Sequence, residues 1–114
     1  MSQITTHVLD LALGKPAAGV AVALEMRVSD DHWQALGRGK TDADGRLSTL
    51  LPASHPLAAG VYRLVFDPAP YYRTVGRKCF FPTVPIVFTV EDPSERFHVP
   101  LLISPYGYST YRGS

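Results

Sequence analysis

The chain has 114 residues, enough for one domain (residues 1–114) with a real core and no need of staples. Its 11 Lys and Arg against 10 Asp and Glu leave a formal net charge of +1; with no basic patch and no acidic tail, nucleic acid is not expected as a partner. The only cysteine, Cys79, excludes an internal disulfide and suits a reducing compartment; no apolar run approaches the ~20 residues of a membrane span, and Met1 to His7 lack the basic and apolar regions of a secretory leader, so a soluble cytoplasmic protein without a membrane partner is expected.

Period-two alternation runs through the chain and predicts strands. The first lies near residues 4–10, with Ile4, Thr6 and Val8 on one face and His7 on the other. Gly14-Lys15-Pro16 reads as a turn, followed by a strand near 20–28 whose Val20, Val22, Leu24, Met26 and Val28 share a face. Further strands are predicted near 33–40 and, after the tight turn Asp42-Ala43-Asp44-Gly45, near 46–51. Tyr62, Leu64 and Phe66 mark a strand near 60–67, and a single short helix fits near 71–75. Strands near 85–91, 95–103 and 105–112 complete the chain. Cys79, beside Phe80 and Phe81, reads as a buried inert thiol. About eight short strands with one short helix and 10 scattered prolines describe an all-β chain folded as a β-sandwich. Its last strand, with Tyr106, Tyr108 and Tyr111 and no lysine, is a poorly defended edge suited to pairing with a second copy.

Chemistry is sparse but not absent. His98 alternates with Phe97 and Val99, so its imidazole faces outward, as does that of His7; such groups are either general bases or ordinary surface histidines. Gly45 is free to take the turn's positive φ and so sets where Arg46 points. Arg112, among rigid tyrosines, can grip a planar polar ligand or simply keep the edge soluble. No metal site is expected: the four histidines are more than twenty positions apart, and the aspartates near residue 42 lack the EF-hand pattern. There is no nucleophile elbow and no phosphate loop. The residues by themselves stop at a polar site built from His7, Arg46, His98 and Arg112, with no ligand named.

Longer strings add a resemblance. Thr5-Thr6-His7-Val8-Leu9-Asp10, Gly14-Lys15-Pro16-Ala17-Ala18-Gly19-Val20, Thr41 to Arg46, Gly60-Val61-Tyr62, Phe80-Phe81-Pro82 and His98 through Ser114 together resemble the 5-hydroxyisourate hydrolases, transthyretin-like enzymes of urate breakdown. The ending Tyr111-Arg112-Gly113-Ser114 matches that family's signature. Phe97, Ile103 and Asp42 depart slightly from its usual residues. The resemblance implies a transthyretin-like β-sandwich assembled as a homotetramer, a dimer of dimers, with sites at the dimer–dimer interface. It implies a cofactor-free hydrolase acting on the small molecule 5-hydroxyisourate. It places His7, Arg46, His98 and Ser114 in catalysis and His7, Arg46, Tyr111, Arg112 and Gly113 against substrate. The rival it leaves is transthyretin itself, a non-catalytic carrier of aromatic ligands, which lacks the signature tail and the site's histidines and arginine.

Overall fold

The computed structural model describes residues 3–114. Two sheets face each other across an apolar core. The first has the order β2-β1-β8-β9, with β5 also pairing β1. It contains β1 (Ile4–Asp10), β2 (Lys15–Pro16), β5 (Arg46–Leu47), β8 (Phe97–Ser104) and β9 (Gly107–Thr110). The second has the order β4-β3-β6-β7, from β3 (Ala21–Ser29), β4 (His32–Lys40), β6 (Gly60–Asp67) and β7 (Val84–Val90). A short helix, α1 (Ala69–Thr74), bridges β6 to the segment before β7. Among the described residues no helix is long and apolar enough to cross a membrane.

The core is the set of residues that alternation assigns to inner faces. Ile4 and Val8 of β1 meet Leu101 and Ile103 of β8, and across the sandwich Val22, Leu24, Tyr62, Leu64 and Phe66, all buried. Burying each such side chain contributes roughly 1.5–3 kcal/mol. Most polar groups inside are bonded; among the described residues the Tyr72 hydroxyl is buried without a hydrogen-bond partner. Asp10, at the end of β1, accepts from the Ala12 and Leu13 amides at 2.9 and 3.0 Å and from the Tyr71 hydroxyl at 2.7 Å. That carboxylate ties β1 to the turn that follows it and to α1. Burial and the adjacent Asp10 push the Tyr71 phenol well above its ordinary pKa, which keeps it a donor.

Five expectations are corrected. Lys15–Pro16 is not a turn but the two-residue β2, paired with Leu9 and Asp10. The strand predicted over 46–51 stops at Leu47, and Leu50 and Leu51 enter the core from a loop; apolar residues there reflect burial, not pairing. Val28 is exposed, because the β3–β4 register slips at two places and the hairpin's end passes beyond the core. The final strand ends at Thr110, beyond which only Gly113 rejoins the sheet, as an isolated bridge to His98. Cys79 is half-buried rather than fully inside; its thiol donates to the Phe81 carbonyl at 3.3 Å, and burial raises its pKa.

Replacing Asp10 with Ala strands the buried Tyr71 hydroxyl and two amides together. We expect a loss of about 3 kcal/mol in urea unfolding, against about 1 kcal/mol for Tyr71→Phe. Equal losses in the two variants would contradict the linking role given to the carboxylate.

Candidate active site

The solvent face of the first sheet gathers the polar residues. β1 and β8 run parallel, with Thr5 opposite His98 and His7 opposite Pro100. On the other edge of β1, Arg46 of β5 lies opposite His7. Paired residues share a face, so Thr5, His7, Arg46 and His98 all point away from the core.

One turn sets both Arg46 and His7. Asp42 Oδ1 accepts from the amides of Asp44 and Arg46, each at 2.9 Å, and the Asp42 and Arg46 backbones close the loop at 2.9 Å. Gly45 takes φ 75°, and a Cβ there would lie 2.4 Å from the Val8 carbonyl oxygen, so both conformation and space demand glycine. The turn's Asp44 carbonyl accepts from His7 Nε2 at 2.8 Å. A carbonyl oxygen has no proton to give, so His7 carries its hydrogen on Nε2, and Nδ1 keeps the lone pair when the ring is neutral.

His98 is held from two sides. Its Nδ1 lies 2.8 Å from the Thr5 hydroxyl. Against its ring sits Gly113, whose amide donates to the His98 carbonyl at 2.7 Å. A Cβ on Gly113 would come within 2.5 Å of His98 Cδ2, so the glycine of the C-terminal signature is what lets the tail lie on the imidazole. Burial, then the neighbouring His7 and Arg46, holds His98 below the usual histidine pKa. Both effects favour the neutral ring.

These groups open on a cavity of about 390 Å³, whose walls include Thr5, Arg46, Arg96, His98, Gly113 and Ser114. Two guanidiniums and an imidazole, with the Asp42 carboxylate on the same wall, suit a small polar ligand rich in carbonyl oxygen. Of the residues singled out from sequence, Arg46, His98, Gly113 and Ser114 meet in this cavity. His7 stands beside His98 but off its walls. Tyr111 is exposed, and Arg112 turns toward the start of β8, donating to the Arg96 carbonyl at 3.2 Å with its guanidinium 4.7 Å over the Phe97 ring. Thr5 and Arg96 were missed; seeing them needs the β1–β8 register, which no local pattern announces. Among the described residues no three of His, Cys, Asp and Glu cluster as metal ligands would.

Comparison with known proteins gives this arrangement a family. A profile of the HIUase/Transthyretin family matches residues 4–113, and the chain belongs to that family. A 5-hydroxyisourate hydrolase of Salmonella dublin is 45% identical over 97% of this chain and 80% of its own length. The structure of Klebsiella pneumoniae 5-hydroxyisourate hydrolase superposes with a TM-score of 0.83 at 38% identity, covering 100% of both chains. Sea bream transthyretin in complex with thyroxine superposes with a TM-score of 0.87 at 30% identity, covering 97% of this chain and 94% of that one.

The pKa of His98 should lie below 6.5 in an NMR titration, and Arg46→Ala should move it upward by removing a nearby positive charge. A value unchanged by that substitution would detach Arg46 from the electrostatics of the ring.

Proposed function

We propose that this member of the HIUase/Transthyretin family is a 5-hydroxyisourate hydrolase of urate breakdown. The observation that carries the reading is the meeting of Arg46, His98 and the C-terminal Gly113 and Ser114 in one cavity, in a chain 45% identical to a relative of that name. The reaction is addition of water to the six-membered-ring carbonyl of 5-hydroxyisourate, then cleavage of the ring carbon–nitrogen bond. The product is 2-oxo-4-hydroxy-4-carboxy-5-ureidoimidazoline.

The residues divide the work. A histidine takes a proton from the attacking water, and the leaving nitrogen receives one as the bond breaks. Arg46 faces the negative charge that grows on the carbonyl oxygen, an interaction stronger in the transition state than in the substrate. Ser114 binds substrate, and the scheme needs no metal or organic cofactor. His7, which does not line the cavity of a single chain, acts from its edge. Tyr111 and Arg112 complete the substrate pocket when chains assemble.

That assembly is a homotetramer, a dimer of dimers. Phe80, Phe81, Tyr106 and Tyr108 form a chain of ring contacts, 4.9–6.3 Å between centroids, and all four are exposed. They lie beside β9, a free edge of the first sheet, and the segment entering β7, a free edge of the second. Uncovered aromatics at two strand edges favour a partner with the same features. The whole chain acts as one domain, and its single cysteine suits the cytoplasm.

A carrier of aromatic ligands is the second reading, favoured by the TM-score of 0.87 to the thyroxine complex. Fold similarity of this degree does not choose between carrier and enzyme. Arg46 and Arg96 on the cavity walls favour the hydrolase, because desolvating them against an apolar ring is unfavourable.

His98→Ala and Arg46→Ala should each slow 5-hydroxyisourate turnover by about a hundredfold or more, with the tetramer intact by light scattering. Near-wild-type rates in both variants would refute the site, and a monomer at micromolar concentration would refute the assembly.

A further inference from the structure

We infer that Thr5 is a positioning residue that holds His98 as its Nε2–H tautomer, so that His98 donates a hydrogen bond in the cavity while His7 is left as the base. The role given to the pair rests on the hydrolase reading above; the tautomer itself does not.

The geometry is direct. Thr5 and His98 are partners in the parallel β1–β8 ladder, and their side chains meet at 2.8 Å between Oγ1 and Nδ1. Both line the cavity. A hydroxyl carries one hydrogen, and among the described residues Nδ1 is the acceptor within its reach. If Nδ1 bore the proton instead, the Thr5 oxygen would accept from it, and among the described residues its own hydrogen has no second acceptor in the hydrogen bonds seen. With Thr5 donating, both groups are satisfied, and the proton of the neutral ring sits on Nε2. Gly113 runs close beside the ring, since a Cβ there would come within 2.5 Å of Cδ2 and 3.3 Å of Cγ. Of the charged groups around the ring, which also include Asp42 and Arg96 on the cavity walls, His7 from β1 and Arg46 from β5 favour its neutral form.

The two histidines thus carry the same Nε2–H tautomer but offer different free nitrogens, a basic Nδ1 on His7 and an N–H on His98. The Asp44 carbonyl holds the hydrogen of His7 on Nε2 and leaves Nδ1 basic. Thr5 occupies the basic nitrogen of His98 and leaves an N–H to give. A neutral N–H donor is suited to the carbonyl oxygen under attack or to the departing nitrogen.

The test uses the full-length protein labelled with 15N in its histidines. Long-range proton–nitrogen spectra at a pH where His98 is neutral should give the Nε2–H pattern in the wild type. Thr5→Val keeps the β-branched shape and removes the hydroxyl; it should mix the two tautomers and lower kcat by about tenfold with KM little changed. Thr5→Ser should restore both. An Nδ1–H tautomer in the wild type overturns the inference, even if Thr5→Val fails to fold. So does a Thr5→Val protein with unaltered tautomer and kcat, or a loss that Thr5→Ser does not recover. The spectra need no substrate, so they stand or fall apart from the assignment of the reaction.

Discussion

The parallel register of β1 against β8 is the constraint on which the site depends. It sets Thr5 opposite His98 on the solvent face and Thr6 opposite Val99 on the core face. The buried Thr6 hydroxyl donates to the Val99 carbonyl at 2.6 Å, and Ile4, Val8, Leu101 and Ile103 fill the interior around it. A slip of one residue would send Ile4 and Val8 into water and His7 into the core. Several buried side chains at roughly 1.5–3 kcal/mol each oppose that slip. The histidine constellation is therefore held by the hydrophobic effect on the opposite side of the same two strands.

Around that register the site uses backbone more than side chains. The Asp42–Gly45 turn aims Arg46 and supplies the carbonyl that fixes His7. Gly113 ties the tail to β8 through its amide and leaves room for the imidazole. Both glycines act by lacking a Cβ, one beneath a strand carbonyl and one against a ring. A carrier and a hydrolase can share such a sandwich because the cavity belongs to one sheet's outer face, which the core does not constrain. Substituting the few outward residues changes the chemistry and leaves the fold alone.

Much of this was legible in the sequence, for a physical reason. Tyr62, Leu64 and Phe66, and Phe97 through Ile103, alternate cleanly because each strand has one buried and one solvated face. The same alternation put His98 and His7 outside. Gly45 and Arg46 followed from turn chemistry. What alternation does not encode is which strands are neighbours. Thr5 and Arg96 acquire meaning only when β1 lies parallel to β8, some ninety positions away. The two-residue β2 and β5 are too short to carry a period, so one read as a turn and the other ran on into Leu50 and Leu51. Arg112 looked like a site residue from its signature, yet in one chain it packs over Phe97.

Catalysis by the wild-type protein is open to direct measurement. Fresh 5-hydroxyisourate, generated from urate by urate oxidase, is followed by its ultraviolet absorbance with and without the protein. A hydrolase gives decay far faster than the spontaneous rate, in proportion to protein concentration and unaffected by chelator. Decay at the spontaneous rate in the presence of well-folded protein would contradict the hydrolase reading and leave the carrier reading in its place.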